Sequence, residues 1–328
     1  MASIAEKDLI LKSPDPLDGP FAADVLAGLS QERKAVPARW FYDRRGSELF
    51  EQITALPEYY PTRTETRILR DCAPAMAKEI GPGRAVIEFG AGSATKTPLL
   101  LDHIAASAYV PIDISGDFLR ESCKPLQARY PDLPICPVEA DFTHPVMIPD
   151  EITKKERLGF FPGSTIGNMD PSAATDLLRV MRTTLGDGSM LVIGMDCIKD
   201  RDELVCAYDD AANVTAQFNL NLAHRINSEL EGTIPVDALR HRAIWNDQRA
   251  RIEMHLEATR DIAFDVGGHA FTMDSGETIH TENSHKYDRR SANLLLLSGG
   301  WEPVERYTDA DERFMVILAQ AMDNSLSA

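Results

Sequence analysis

An α/β fold with a mostly parallel sheet, joined to a second α+β unit, is predicted by three observations on this chain of 328 residues. Short apolar strands alternate with helices between Ala85 and Met195. A Gly-x-Gly turn follows the first of those strands. After Lys199 the pattern changes to a long helical stripe and then to a strictly alternating strand. Apolar strands linked by helices of about ten residues make βαβ units, whose sheet is covered on both faces.

Up to about Pro61 the chain carries Pro and Gly punctuation with short helical segments, such as Leu49, Ile53 and Leu56 after Gly46-Ser47, and no strand stands out. A helix is expected over 63–76, ended by the turn Gly81-Pro82-Gly83. The alternating series then reads strand 85–89, helix from about Thr95, strand 109–113, helix 118–128 and strand 135–139. Strand 158–161, a helix over 173–185 after Asp170-Pro171, and strand 189–195 complete it. Leu204, Tyr208, Ala211, Phe218, Leu222, Ile226 and Leu230 predict one long amphipathic helix over 203–230. Ile252, Met254, Leu256 and Ala258 alternate with Arg251, Glu253, His255 and Glu257, as in a half-buried strand of an antiparallel sheet. The tail reads as a helix over 291–298 stopped by Gly299-Gly300, then two strands whose hairpin closes the first sheet and makes the middle block an insertion. The segments 232–250 and 259–275 carry no interpretable motif.

A formal charge of -17 and a pI near 4.9 argue against a nucleic-acid partner, whose binding needs Lys and Arg to displace counterions. The acidity reads as solubility. Five cysteines, an odd number without a CxxC pair, read as reduced thiols of a cytoplasmic protein. Met1 to Lys12 lack an apolar run, and nothing later approaches the roughly 18 apolar residues of a membrane helix. Export and membrane spanning are therefore not expected. The eight histidines include no HExxH, so no metal is expected. No G-x-S-x-G elbow surrounds Ser164.

The first site candidate runs from Val86 to Thr97: an apolar strand, Glu88, the Gly90-Ala91-Gly92 turn, and Lys96 at a helix start. Glycines there let the backbone bend sharply and a ligand approach closely. A nicotinamide-binding fold uses the same geometry with a third glycine, but Thr95 occupies that place. Asp113, at the end of the second strand, suits two ribose hydroxyls. Asp141-Phe142, after the third, suits an adenine amino group and its ring face. Three strand ends aimed at one crevice fit a Rossmann-like sheet holding S-adenosylmethionine. A second glycine-bearing loop, Gly163 to Asn168, either is a tight turn capped by Asn168 or lines the methyl-acceptor side of that crevice.

Trp40-Phe41-Tyr42-Asp43, Leu56-Pro57-Glu58-Tyr59-Tyr60-Pro61-Thr62-Arg63-Thr64-Glu65, the Gly163 to Asn168 loop, Tyr208-Asp209-Asp210-Ala211-Ala212 and Arg251-Ile252-Glu253-Met254 resemble the histidine-specific α-N-methyltransferases of ergothioneine biosynthesis. The resemblance runs from Val36 to the end. It implies a class I S-adenosylmethionine-dependent methyltransferase domain over 62–198 and 286–328, and a substrate-binding domain over 1–61 and 199–285. It also implies threefold methylation of the L-histidine α-amine to hercynine, with S-adenosylhomocysteine released each time. A monomer is expected. Carried over by position, Tyr59, Asn168 and Tyr208 hold the amino-acid head group beside Gly163, and Tyr42 stands by the α-nitrogen as the catalytic residue. Met254, Glu282 and Ser284 enclose and hydrogen-bond the imidazole. Without the resemblance, Met254 reads as core, Glu282 as an exposed strand residue, and Tyr208 as packing within a helical stripe. Related fungal enzymes use tryptophan or a prenylated derivative, and a non-catalytic S-adenosylmethionine-binding protein is the alternative of another class.

Overall fold

A computed structural model describes residues 16–149, 152 and 155–323; Met1 to Lys12 and the outer domain limits expected at 1 and 328 lie outside the described residues. In chain order the elements begin with α1 (Pro20–Leu29), α2 (Arg44–Thr54) and α3 (Tyr60–Ile80). There follow β1 (Ala85–Phe89), α4 (Thr97–Leu101), β2 (Ala108–Asp113), α5 (Gly116–Arg129), β3 (Val138–Glu139), β4 (Arg157–Phe161), α6 (Pro171–Leu185) and β5 (Met190–Asp196). Next come α7 (Arg201–Cys206), α8 (Val214–Glu229), β6 (Leu239–Asn246), β7 (Arg251–Ala258), β8 (Ile262–Val266), β9 (His269–Met273) and β10 (Thr278–His285). The chain closes with α9 (Arg289–Ser298), β11 (Trp301–Thr308) and β12 (Phe314–Ala321).

The main sheet has the order β11-β12-β5-β4-β1-β2-β3. Strands β1 to β5 are parallel, while β12 runs antiparallel to β5 and β11 antiparallel to β12. This is the Rossmann-like, class I arrangement that the strand pattern and the resemblance imply. All five residues of β1 are buried, because successive side chains point to opposite faces and both faces are covered. Ile87 and Phe89 pack with Leu178 and Met181 of α6 and Leu296 of α9, and Val86 packs with Ile68, Leu69 and Ala73 of α3. Trp301, fully buried, anchors the closing hairpin by donating its indole N–H to the Leu178 carbonyl at 2.9 Å.

A second core gathers α1, α2, α8 and an antiparallel sheet of order β10-β7-β6, with the β8–β9 hairpin beside it. Here the structure corrects two expectations and fills in segments that carried none. The long helix over 203–230 is two helices, α7 and α8, separated at 207–213. Asp210 accepts the backbone N–H groups of Val214 and Thr215 at 2.9 and 2.7 Å, and Asn213 takes a left-handed φ of 58°, so α8 starts afresh where the apolar spacing ran on. Strand β7 is central, not half-exposed: seven of its eight residues are buried, because β6 and β10 flank it and its polar face looks into a cleft. The uninterpreted segments 232–250 and 259–275 contain β6, β8 and β9. Smaller differences are the longer α3, which tolerates Pro74, and β3, which shortens to two residues after an isolated Tyr109–Ile135 bridge.

Candidate functional site

A cleft of about 2050 Å³ opens between the C-terminal ends of the parallel strands and the second core. Crevices at those strand ends are where open α/β sheets bind ligands. Its floor is the turn after β1. Gly90 has φ +69°, and a Cβ built there would lie 3.2 Å from the Phe142 ring; Gly92 has φ +51° with nothing within 4 Å of an added Cβ. Asp113 fastens the turn from β2: its Oδ2 accepts the Gly92 N–H at 3.0 Å, and its Oδ1 accepts that of Ser115 at 2.9 Å. Asp113 lines the cleft, and each of its oxygens has a lone pair left beyond these bonds.

Phe142 stands edge-on to Phe89 and Phe161, with centroids 6.5 and 5.8 Å apart, and so forms an aromatic wall above Gly90. Asp141 beside it accepts from the Thr143 N–H and hydroxyl at 2.9 and 2.6 Å. Partial burial works to raise its pKa, but those bonds prevail and hold it below the ordinary value. Glu88 differs in kind. It is 2% exposed, and its Oε2 accepts the hydroxyls of Thr97 and Tyr109 at 2.6 and 2.5 Å. Burial pushes it up to about 7 against those bonds. Its carboxylate therefore braces α4 and β2 from beneath the turn. Lys96 pairs with Glu65, a residue outside the candidate set that is 1% exposed and also accepts the Gly163 N–H at 2.9 Å. One buried carboxylate thus ties the cofactor-side turn to the acceptor-side loop.

On the acceptor side, Gly163 (φ +86°) and Ser164 (φ 58°) turn the chain sharply after β4, and Ser164 Oγ accepts the Asp196 N–H at 2.9 Å. Asn168 ends the single 3-10 turn Thr165–Asn168 with its side chain on the cleft. Gly167 is required there, since a Cβ would meet the His285 carbonyl at 2.7 Å. The register of β10 against β7 sets Glu282 directly opposite Met254, with a bulge between His280 and Glu282. Ser284, two residues along, shares their face. Glu282 lines the cleft; its backbone carbonyl lies 3.0 Å from His280 Nε2, its carboxylate has no hydrogen-bonding partner among the described residues, and burial pushes that carboxyl up to about 7 against the pull of Lys286.

The phenols of Tyr42, Tyr59 and Tyr208 gather near this carboxylate. Burial first, and then neighbouring groups that include Glu282, hold all three well above their ordinary pKa, so they stay neutral. Phe50 stands between Tyr42 and Tyr59 at 5.6 and 6.3 Å, and Tyr59 meets Tyr208 edge-on at 6.1 Å. Negative ring faces arranged around a space suit a cation. Phe50 went unnoticed in the sequence, yet Ser47, Phe50, Glu51 and Thr54 all line the cleft from α2 at i, i+3, i+4 and i+7, a second periodicity beside the core stripe.

Most of the candidates therefore face one cleft, but three stand behind its wall. Tyr208 is 8%, Ser284 3% and Met254 1% exposed. The Tyr208 hydroxyl and Ser284 Oγ lie 2.7 Å apart. Beneath them Asp196 is buried between Lys286 and Lys199, at 2.8 and 2.6 Å, and accepts the Tyr60 hydroxyl at 2.7 Å. Burial works to raise Asp196, yet the two ammonium groups hold it below the ordinary carboxylate range. Of this network only Tyr208 and Ser284 were site candidates from the sequence; Asp196, Lys199 and Lys286 escaped notice, since partners here lie as much as 139 residues apart.

The family described as "Histidine-specific methyltransferase, SAM-dependent" matches residues 21–321. The histidine N-alpha-methyltransferases of Mycobacterium tuberculosis and Mycolicibacterium smegmatis are each 39% identical to this chain over 303 residues, covering 90% of it and 93% of each relative. A more distant relative, the 4-dimethylallyltryptophan N-methyltransferase easF of Aspergillus fumigatus, is 24% identical over 312 residues, covering 90% of this chain and 92% of that protein.

Proposed function

The chain belongs to the histidine-specific, S-adenosylmethionine-dependent methyltransferases, and from that membership we propose how its cleft divides between the two substrates. The protein is an enzyme that methylates the α-amine of histidine. Three successive transfers give hercynine for ergothioneine biosynthesis. When bound, S-adenosylmethionine supplies a methyl group on a positively charged sulfur. The open Gly90 turn, Asp113, and Asp141 with Phe142 fit that molecule: the two carboxylates take the ribose hydroxyls and the adenine amino group, and the Phe142 ring takes the adenine face. Glu88 and Lys96 hold the turn in shape.

Among the described residues, we read 62–198 and 286–323 as the methyltransferase domain, and 16–61 with 199–285 as the substrate domain. The observation that carries the substrate assignment is the β10–β7 register, which sets Glu282, Met254 and Ser284 on one face next to three neutral phenols. An unpaired carboxylate aimed into a cleft rewards an imidazole N–H and penalises a side chain that leaves it unpaired. Asn168, Gly163, Tyr59 and Tyr208 take the amino-acid head group. The amine must lose its proton to become nucleophilic, and a Tyr42 that burial holds neutral is not a phenolate that would take it. The Tyr42 oxygen and the Phe50 and Tyr59 rings then accommodate nitrogen as it becomes a permanent cation. Positioning and exclusion of water supply most of the rate.

Among the described residues no helix is long and apolar enough to cross a membrane. We read the protein as a cytoplasmic monomer that binds no nucleic acid; the charge of -17 supports the last of these. Incubation with S-adenosylmethionine and histidine, followed by mass analysis, tests the reaction. Histidine with three added methyl groups is expected, and cofactor binding without methylated product would overturn it.

A further inference from the structure

We propose that Lys286 is a positioning residue: its buried ammonium fixes the Tyr208–Ser284 hydroxyl pair as a hydrogen-bond donor toward the substrate, and so sets the choice of an imidazole ring. This rests on the reading that histidine binds beside Glu282.

The Lys286 side chain is 0% exposed and extends from the end of β10 toward Asp196. An ammonium has three hydrogens and no acceptor. All three are committed, to Asp196 Oδ2 at 2.8 Å, Ser284 Oγ at 2.7 Å and the Tyr208 hydroxyl at 3.0 Å. Both hydroxyl oxygens therefore already accept a bond from Lys286. They also lie 2.7 Å from one another, so one donates to the other. Two hydroxyls hold two hydrogens, and their mutual bond uses one. The oxygen that accepts twice is saturated, and its own hydrogen is the one left to point outward. The Tyr208 hydroxyl is also hydrogen-bonded to Tyr59, so the orientation in which Tyr208 donates to Ser284 leaves the Ser284 O–H as the one donor that a ligand ring meets.

Glu282, two residues from Ser284 on the same face, is the complementary acceptor. A neutral imidazole carries one N–H and one bare ring nitrogen. The N–H matches Glu282, and the bare nitrogen matches the donor that Lys286 enforces. An indole or pyrrole ring carries only the N–H and leaves the buried donor unpaired. A site built to hydrogen-bond a group rejects analogues lacking it more strongly than shape alone would.

The charges around the pair act in the same sense. Lys286 faces Asp196 from β5, Lys199 from the segment after β5, Tyr60 from α3 and Tyr208 from the segment after α7; Glu282 is the titrating carboxylate on its own strand. Lys286 attracts the ionised form of Glu282, while Tyr42, Tyr59 and Tyr208 stay neutral around it. Removing the ammonium leaves burial of Glu282 unopposed and moves its titration to higher pH.

The test is Lys286→Met, which keeps the length of the stem but neither charge nor donors. Lys199 and Tyr60 remain on Asp196 in that variant. Expected are a kcat/KM for histidine lower by about 10- to 100-fold, carried by KM, with S-adenosylhomocysteine affinity within about twofold of wild type. The acid limb of kcat/KM should move to higher pH. A Ser284→Ala change added to Lys286→Met should cost far less than it costs the wild type, since both act through one hydroxyl pair. Unchanged KM and acid limb, or fully additive losses, would overturn the role of Lys286. Absence of histidine methylation by the wild type would instead overturn the reading beneath it. If Lys286→Met does not accumulate as folded protein, the wild type answers with pyrrolylalanine, whose ring has the N–H but no bare nitrogen. A kcat/KM within threefold of that for histidine would refute the enforced donor.

Discussion

Replacing Glu282 by Gln keeps the shape of the side chain and removes one titrating proton from the cleft. Burial pushes that carboxyl from its ordinary 4.5 up to about 7, against the pull of Lys286. Each pH unit of such displacement corresponds to about 1.4 kcal/mol, so the ionised form costs the ligand-free fold up to about 3 kcal/mol. Water entering the cleft screens part of this, which leaves about 1 to 2 kcal/mol. The folded chain keeps a proton through the window from about 4.5 to 7 that the unfolded chain has lost, so wild-type stability falls across it as pH rises. Below that window the two proteins should differ little. At pH 8 the Gln variant should be the more stable by about 1 to 2 kcal/mol. Urea unfolding of both ligand-free proteins at intervals between those limits measures the difference, and Glu88, which burial also pushes up to about 7, cancels because both proteins contain it. The same change should lower kcat/KM for histidine by about 100-fold while leaving S-adenosylhomocysteine affinity intact. A variant less stable than wild type at pH 8, or a gap independent of pH, would refute the claim that this carboxylate is held unpaired for a ligand.

Other changes probe the frame. Gly90→Ala puts a Cβ 3.2 Å from Phe142 at φ +69°, and calorimetry should show S-adenosylmethionine binding weakened more than tenfold with about 1 to 2 kcal/mol of stability lost; unaltered affinity would show that the turn does not meet the cofactor. Glu65→Ala strips partners from Lys96 and the Gly163 N–H, so it should cost about 2 to 4 kcal/mol in denaturant unfolding and weaken both substrates. Asp196→Asn leaves Lys286 and Lys199 buried without their counterion, and a loss of about 3 to 5 kcal/mol is expected above pH 5, shrinking as acid protonates Asp196 in the wild type. A flat difference down to low pH would contradict that ion pairing.

Much of the fold was legible because its signals are local. The alternation from Ala85 to Asp196 fixes parallel strands, and Gly90, Asp113 and Asp141 each follow a strand end, so one rule about strand ends brought them together. The break between α7 and α8 was hidden, since Leu204, Tyr208, Phe218 and Leu222 keep helical spacing across it; Asp210 and Asn213 were the signal. On the substrate side, the pairing of Glu282 with Met254 depends on register across 28 residues and on a bulge, which no periodicity reveals. For that reason those residues rested on resemblance. Glu65, Asp196 and Lys286 were silent for a related reason: a buried charge is recognisable by its partners, and besides the near ones, Lys199 for Asp196 and Ser284 for Lys286, these lie far off in sequence.

The most direct measurement is a competition: the enzyme, S-adenosylmethionine, and equimolar histidine and tryptophan, with products resolved by mass and the site of methylation fixed by fragmentation. Histidine carrying three methyl groups on its α-nitrogen should accumulate, with tryptophan recovered almost unchanged. Preferential methylation of tryptophan, or methyl groups on the imidazole nitrogens, would contradict the assignment of Glu282 and its neighbours to the histidine ring.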